Sequence, residues 1–192
     1  MEKPKKSGPA IFMYIVIAVG VLITLTCFTL YYGNFFKNDI VLWIGVTAFT
    51  IIYHFWGRII LGNVTKLFHI HYSQPWFRER KFEKKLYKLL RVQKWKDKVL
   101  TYNPELFDMK TRTLDEIANT MAKAETDHWV NELLSLTTLL FPLIWGEWWV
   151  FTLTAVVAMI FDAQFILVQR YNRPKAIRVI KHNAKKLDNR VI

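Results

Sequence analysis

The chain has 192 residues, enough for about one domain, with a formal net charge of +12 and 53% hydrophobic residues. The hydrophobic residues are concentrated in long runs without charge. Basic residues beside such runs set membrane topology and attract anionic lipid headgroups, so we exclude a nucleic-acid partner. The single cysteine, Cys27, lies inside the first run, which excludes a disulfide framework and paired thiolate metal ligands.

Four membrane-spanning helices are predicted from these runs. Ser7 to Phe36 is a stretch of 30 residues without a charge, and Ile40 to Gly57 is another of 18. A helix needs roughly 20 apolar residues to cross the hydrocarbon, whereas the apolar part of a signal peptide has about 7–15, so we expect the first run to be retained. A third apolar stretch, Leu133 to Phe161, is broken only by Glu147. The predicted spans are about Ile11 to Leu30, Ile40 to Gly57, Trp129 to Trp145 and Trp148 to Val168.

The placement of lysine and arginine predicts the topology. Residues 58–127 hold 15 of the 27 basic residues, the tail from Arg170 holds eight, and Lys3, Lys5 and Lys6 precede the first span. The loop between spans one and two contains only Lys37. Since basic loops stay in the cytoplasm, we predict a multi-pass protein of the cell membrane with both termini cytoplasmic. The predicted units are a two-span region (1–65), a cytosolic or interfacial helical segment (66–127), a two-span hairpin (128–170) and a basic cytosolic tail (171–192).

The segment between spans two and three contains a predicted amphipathic helix. Phe82, Leu86, Leu89 and Leu90 recur at helical spacing, with lysines between them. This pattern is typical of a basic helix lying on the anionic inner leaflet. A docking helix without chemistry remains an open interpretation. The predicted fold class is therefore all-α integral membrane, with about four transmembrane helices and this cytosolic segment.

A second helix is predicted to begin at a capping box. Thr113 and Glu116 form the Thr-x-x-Glu pattern, in which each side chain accepts a hydrogen bond from the other residue's backbone. Ile117 begins an apolar face that is in phase with His128. We expect this helix to continue into the third span.

Four ionisable residues are candidates for catalysis: Glu125, His128, Glu132 and Asp162. The first three share one face of the second helix, at the point where it enters the membrane. Ionisable groups inside a membrane are costly and suggest a functional site. His128 is predicted to accept a proton from a hydroxyl nucleophile, with Glu125 or Glu132 holding its tautomer and Asp162 orienting the network or pairing with an arginine. An equally open interpretation is that these groups only satisfy one another between packed helices.

No metal site is predicted. Glu125-x-x-His128 has the spacing of di-iron helix bundles, but there the motif occurs twice and is joined by two further glutamates. Here it occurs once. His69 and His71 form a His-x-His pair that we interpret as a solvated loop.

A polar motif follows the fourth span. Two arginines with an asparagine and a tyrosine can bind a phosphate or carboxylate through several donors, partly bidentate. An anchoring role beside the membrane remains the alternative. Pro174 is predicted to end the helix. The residues of this predicted headgroup or donor site are Gln169, Arg170, Tyr171, Asn172 and Arg173.

Four blocks between Trp76 and Lys175 carry a family resemblance. They are Trp76-Phe-Arg-Glu-Arg-Lys-Phe-Glu83, Val92-Gln-Lys-Trp-Lys-Asp-Lys98, Ala124-Glu-Thr-Asp-His-Trp129 and Val168-Gln-Arg-Tyr-Asn-Arg-Pro174. Through these blocks the chain resembles the glycosyl-4,4'-diaponeurosporenoate acyltransferase family of small bacterial membrane proteins.

The resemblance implies transfer of a fatty acyl group to a sugar hydroxyl of a glycosylated carotenoid acid, or of a related isoprenoid or glycolipid. It places the protein in lipid metabolism and carotenoid biosynthesis. No bound cofactor is implied, but an acyl thioester of coenzyme A or of a carrier protein is the implied co-substrate. Arg170 and Arg173 suit the phosphates of that carrier, and Lys94, Trp95 and Lys96 add to the same basic patch. The expected partners are a membrane lipid substrate and anionic inner-leaflet lipids.

Two other functions stay open at the level of sequence. The same polar groups suit a non-enzymatic protein that binds lipid or assists membrane assembly. A different lipid-modifying transferase, such as a methyltransferase, would use the same inner-leaflet site. The sequence leaves the acceptor lipid, the acyl chain length and the oligomeric state undetermined.

Overall fold

A computed structural model describes residues 8–99, 101 and 103–191. Within these residues all regular elements are helical, and no strand occurs. The basic residues Lys3, Lys5 and Lys6 of the topology prediction lie outside the described residues. In chain order the helices are α1 (Gly8–Tyr32), α2 (Asp39–Val64), α3 (Lys81–Leu89), α4 (Val92–Trp95), α5 (Leu114–Thr137), α6 (Pro142–Trp145) and α7 (Trp148–Val191).

Three helices in the described part of the chain are long and apolar enough to cross a membrane, which makes this an all-helical membrane protein. They correspond to the first, second and fourth predicted spans. The third predicted span, Trp129 to Trp145, is not one continuous helix, because α5 ends at Thr137 and a 3₁₀ turn separates it from α6. The three helices of spanning length cover Gly8–Tyr32, Asp39–Leu67 and Trp148–Lys186.

The helices pack in a chain of neighbours: α1 against α2, α2 against α5, and α5 against α7. Small residues permit the first two contacts. A Cβ atom added at Gly45 of α2 would lie 2.9 Å from the Cβ atom of Cys27, and one added at Gly57 would overlap Leu134 of α5. In lipid, where apolar surface gives no preference for another helix, such close backbone approach supplies packing energy between helices.

Aromatic side chains fill the end of the bundle where α1 ends and α7 begins. Phe151 is 1% exposed, and Trp145 stacks on it with ring centroids 6.2 Å apart. Phe49 of α2 contacts Phe141 at 5.5 Å, and the indole nitrogen of Trp145 donates to the Tyr32 hydroxyl at 3.0 Å. The segment after α5 therefore reaches the same end of the bundle as the α1–α2 turn.

Both helices that we predicted outside the membrane are confirmed as helices. Glu116 and Thr113 form the expected capping box at the start of α5, with Thr113 N donating to a Glu116 carboxylate oxygen at 2.8 Å. Helix α3 has the predicted amphipathic pattern, with Phe82 58% exposed and Leu89 79% exposed on its outer face. Its buried residues are Glu83 and Tyr87.

The prediction that Pro174 ends the helix that follows from the fourth span is wrong, because α7 continues through it to Val191. A proline inside a helix removes one backbone hydrogen bond and costs about 3 kcal/mol. Here the side chains just before the proline are anchored to other elements and hold this part of the helix in place. Arg173 donates to Glu125 at 2.6 Å, and the Tyr171 ring contacts Tyr87 at 5.3 Å. The predicted boundary at residue 170 thus falls inside a continuous helix.

Candidate active site

A histidine–aspartate pair lies between α5 and α7. His128 Nδ1 and Asp162 Oδ1 are 2.8 Å apart, and Asn131 donates to the same oxygen at 3.4 Å. Arg58 of α2 donates to the other oxygen of Asp162. Asp162 is completely buried, so its charge depends on these donors and not on water. Three helices thus fix one carboxylate, and this carboxylate fixes the imidazole.

The second imidazole nitrogen of His128 is available. Within the described part of the chain, Nε2 has no hydrogen-bond partner, and the side chain keeps 21% of its surface exposed. The imidazole lies flat on Phe165, with ring centroids 4.4 Å apart and an interplanar angle of 6°. An imidazole held at Nδ1 by a carboxylate and free at Nε2 has the arrangement of a general base.

Buried polar atoms without partners lie on the α2 side of this pair. Both ring nitrogens of His54, Nε of Arg58 and one carboxylate oxygen of Glu132 are buried and make no hydrogen bond to any described residue. Buried polar atoms are nearly always hydrogen-bonded, to protein or to water. These unpaired donors and acceptors could therefore bind a polar group beside Asp162, such as a water molecule or a substrate hydroxyl.

Glu125 is not the carboxylate that holds His128. It lies one turn earlier on α5, and two arginines of α7 occupy its oxygens: Arg170 at 2.5 Å and Arg173 at 2.6 Å. Arg170 also donates to Glu83 of α3 at 2.6 Å. Glu125 is fully buried and Arg173 is 1% exposed, so this is an internal ion network. The i, i+3 spacing placed Glu125 and His128 on one face, but α7 gives each of them a different partner.

The same arginines hold the loop before α3. Arg173 donates to the carbonyl oxygen of Phe77 at 2.9 Å, and its guanidinium lies 4.8 Å from the centre of that ring. Arg170 reaches the carbonyl oxygens of Trp76 at 3.5 Å and Arg78 at 3.4 Å. The guanidinium groups predicted to bind a phosphate are therefore engaged with buried carboxylates and backbone. Of the other predicted donor-site residues on α7, Gln169 and Asn172 are part-exposed and have no hydrogen-bond partner among the described residues.

Two residues of this network were not among the predicted site residues. Glu83 accepts from Arg170, and the Tyr87 hydroxyl donates to Glu83 at 2.9 Å. Burial, followed by the hydrogen bond to Glu83, raises the pKa of Tyr87. The sequence signal that could have revealed them was the i, i+4 spacing of Glu83 and Tyr87 on the polar side of the lysine-rich helix α3. That side would ordinarily face solvent.

The basic patch at residues 94–98 lies beside α7, where Phe161 and Phe165 face it. Trp95 ends α4, and its indole nitrogen donates to the carbonyl oxygen of Leu90 at 2.9 Å. Lys94 is exposed, and Lys96 pairs with Asp97. Between this patch and α7 is a cavity of about 270 Å³, lined by Trp95, Lys98, Val99, Phe161, Gln164 and Phe165. Among the described residues, no group of three His, Cys, Asp or Glu side chains is arranged to hold a metal ion.

The fold and this site define a small helical membrane protein with a carboxylate-held histidine inside its bundle. The chain belongs to the glycosyl-4,4'-diaponeurosporenoate acyltransferase family, whose model matches residues 73–182. This range covers more than half of the chain and includes His128, Asp162 and the whole Glu125 network. No curated protein and no solved structure matches the chain in the corresponding comparisons.

Proposed function

We propose that this protein transfers a fatty acyl group from an acyl thioester to a hydroxyl of a glycosylated lipid, either a carotenoid glycoside or a related isoprenoid glycolipid. The observation that carries the proposal is the His128–Asp162 pair, because it leaves one imidazole nitrogen free inside a membrane protein of this family. The family name supplies the reaction class, and the geometry supplies a base suited to it.

In the proposed reaction, His128 Nε2 accepts the proton of the acceptor hydroxyl as its oxygen attacks the thioester carbonyl carbon. The C–S bond then breaks, and the imidazolium returns the proton to the departing thiolate. Asp162 holds Nδ1 as the donor to its carboxylate and stabilises the imidazolium, while Arg58 pairs with the other oxygen of that carboxylate. A positioned base of this kind contributes about 10²–10⁴-fold to a rate. Glu132 and His54, with their unpaired buried atoms, are proposed to bind the acceptor or an ordered water.

The site is proposed to lie in the inner-leaflet half of a four-span bundle. Contacts support a fourth crossing by residues 127–145: Asp127 accepts from Thr65 at the end of α2, whereas Trp145 contacts Tyr32 at the end of α1. Those 19 residues would extend about 27 Å as helix, close to the roughly 30 Å of hydrocarbon. The basic middle segment and the end of α7 would then face the cytoplasm.

The thioester carrier is proposed to bind at the cytoplasmic edge of the same site. Lys94 and Lys96 supply positive charge there, and Gln169 and Asn172 supply unpaired amides. Arg170 and Arg173 are proposed to act mainly by fixing α3 and the loop before it against α7, so that this edge keeps its shape. Coenzyme A and an acyl carrier protein present the same phosphopantetheine thioester and are both candidate donors.

The test compares lipid extracts of host cells carrying the gene, lacking it, or complemented with variants. We expect an acylated glycolipid to disappear on deletion and its unacylated precursor to rise. His128→Ala should fail to restore the product, with activity reduced about 10²–10⁴-fold. His182→Ala is the matched control, since His182 is exposed on the end of α7 and should restore it fully. An active His128→Ala protein would exclude the proposed base.

One observation favours a second candidate, a non-enzymatic protein that binds or assembles lipid. Glu125, Arg170 and Arg173 are used for internal ion pairs, as expected if the polar groups hold a bundle together. This function predicts an unchanged lipid extract on deletion, together with a specific lipid that co-purifies with both wild-type and His128→Ala protein.

A further inference from the structure

The cavity between α4 and α7 has the chemistry of a narrow apolar site with a charged entrance. Val99, Phe161 and Phe165 give it apolar and aromatic walls, while Lys98 and Gln164 are its polar members outside the indole of Trp95. Small-molecule sites are typically lined in this way, with few polar groups that fix orientation. Trp95, Lys98 and Val99 come from the end of α4 and the residues after it, and the other walls come from α7, so the cavity exists only in the folded protein.

One wall of this cavity is also the support of the proposed base. Phe165 lies parallel to the His128 ring at a centroid separation of 4.4 Å, so one aromatic ring separates the cavity from the imidazole. The neighbouring wall, Phe161, lies 6.0 Å from the Arg58 guanidinium that holds Asp162. A molecule in the cavity is therefore beside the His128–Asp162 pair, on the side facing the basic segment.

The lining of the cavity selects among the molecules of the proposed reaction. Its volume of about 270 Å³ is at the lower limit of small-molecule sites, which have roughly 300–1,000 Å³. A sugar headgroup placed here would leave most of its hydroxyls against apolar walls without hydrogen-bond partners. A single hydrocarbon chain has no such cost, and the aromatic walls favour it through apolar burial.

The surroundings at the two ends of the cavity also suit an acyl chain that is attached to a polar carrier. Phe161 is 47% exposed on the membrane-spanning helix, so the cavity borders lipid on that side. Lys98 is exposed on the basic segment, together with Lys94, and borders the aqueous side. A long acyl chain bound here extends into the bilayer, while its phosphate-bearing carrier remains beside the lysines.

We propose that this cavity binds the acyl chain of the donor, next to its thioester, with Lys98 close to the phosphopantetheine arm. The assignment rests on the proposed acyl transfer and specifies where the donor enters: between the residue 95–99 segment and α7. The acceptor then approaches His128 from the opposite side, where Glu132 and His54 have unpaired atoms.

The experiment is photolabelling of purified protein in detergent with a coenzyme A thioester that carries a diazirine on its acyl chain. We expect the label on peptides containing residues 95–99 or 161–165. Val99→Trp fills the cavity and should lower labelling there by about tenfold or more. Val157→Trp is the matched control on α7, because Val157 is 58% exposed and lies outside the cavity, and its labelling should equal wild type.

Labelling of wild-type protein on other peptides, or labelling that Val99→Trp leaves unchanged, overturns the assignment. Gln164→Trp fills the same cavity from an exposed position of α7 and replaces Val99→Trp if the latter does not fold.

Binding of the probe requires no turnover, so the result is independent of whether a lipid acceptor is acylated. A phosphopantetheine thioester with the same chain but without the nucleotide is the second probe; equal labelling by both is the expected result for a site that recognises the chain and the phosphate-bearing arm.

Discussion

At the scale of single residues, the site is decided by which carboxylate neutralises which cation. Asp162 receives His128 and Arg58, whereas Glu125 receives Arg170 and Arg173. Both carboxylates are completely buried, and a buried charge is tolerated only when it is paired and hydrogen-bonded. The two networks therefore have the same physical basis but different chemistry. The Asp162 network leaves Nε2 of His128 free, whereas the Glu125 network pairs its carboxylate oxygens with two arginines.

Removing the charge of Glu125 should cost far more than removing a surface charge. Glu125→Gln leaves Arg173 buried without a carboxylate, and breaking a buried pair in this way costs about 3–5 kcal/mol. Glu79→Gln is the control, since Glu79 is 3.9 Å from the exposed Lys84 and a pair of this kind contributes at most about 1 kcal/mol. The unfolding midpoints of both variants in detergent make the comparison. Equal midpoints would show that the Glu125 network does not hold the bundle.

At the scale of elements, local signals place helix starts well and helix ends poorly. The capping box at Thr113 fixes the start of α5, because it satisfies backbone donors within four residues. The end of α7 follows no local signal: the helix continues through Pro174 to Val191, and just before the proline Tyr171 and Arg173 are bound to other elements. Helix α3 is similar, since its buried face carries Glu83 for Arg170 while its apolar face remains exposed.

The capping box of α5 should make a pH-dependent contribution to stability. The backbone N–H and then the hydroxyl of Thr113 donate to the Glu116 carboxylate, which lowers the pKa of Glu116 below its usual 4.5. Because the folded-state pKa is depressed, this stabilisation is present above the unfolded pKa and is lost as pH falls through the folded value. The difference in thermal midpoint between wild type and Glu116→Gln should therefore shrink on acidification below pH 4.5.

The matched control for the capping box is Glu105→Gln, at an exposed carboxylate in the 3₁₀ helix Pro104–Phe107. Its midpoint should follow wild type at every pH. If the difference in thermal midpoint between wild type and Glu116→Gln stays constant through the acidic range, the charge of the Glu116 carboxylate contributes nothing to the cap.

At the scale of the whole molecule, contacts along α2 suggest how the chain crosses the membrane. Asp127 lies at the Thr65 end of α2, Leu134 at Gly57, and Phe141 at Phe49. The segment after Asp127 thus runs the length of α2 in the opposite direction. Its first half carries His128 and Glu132 and the helix ends at Thr137, so the segment is not one apolar helix of spanning length.

Labelling of single cysteines should reveal four crossings. In a Cys27→Ser background, Lys37→Cys and Glu147→Cys should react with a membrane-impermeant thiol reagent in intact cells. Lys185→Cys should react only after the cells are opened, because positively charged segments remain cytoplasmic. Lys37 is the outside reference for Glu147. Protection of Glu147→Cys in intact cells, together with reaction of Lys185→Cys in those cells, would leave three spans.

The sequence by itself determined the features that depend on neighbouring residues: the charge-free runs that form α1, α2 and the first part of α7, the amphipathic α3, and the start of α5. It also singled out both members of the His128–Asp162 pair as candidates, because ionisable groups are costly inside a membrane. Only the tertiary structure decided their pairing. The rotation of α7 against α5 gives Asp162 to His128 and both arginines to Glu125, and no spacing within one helix specifies the rotation of its neighbour.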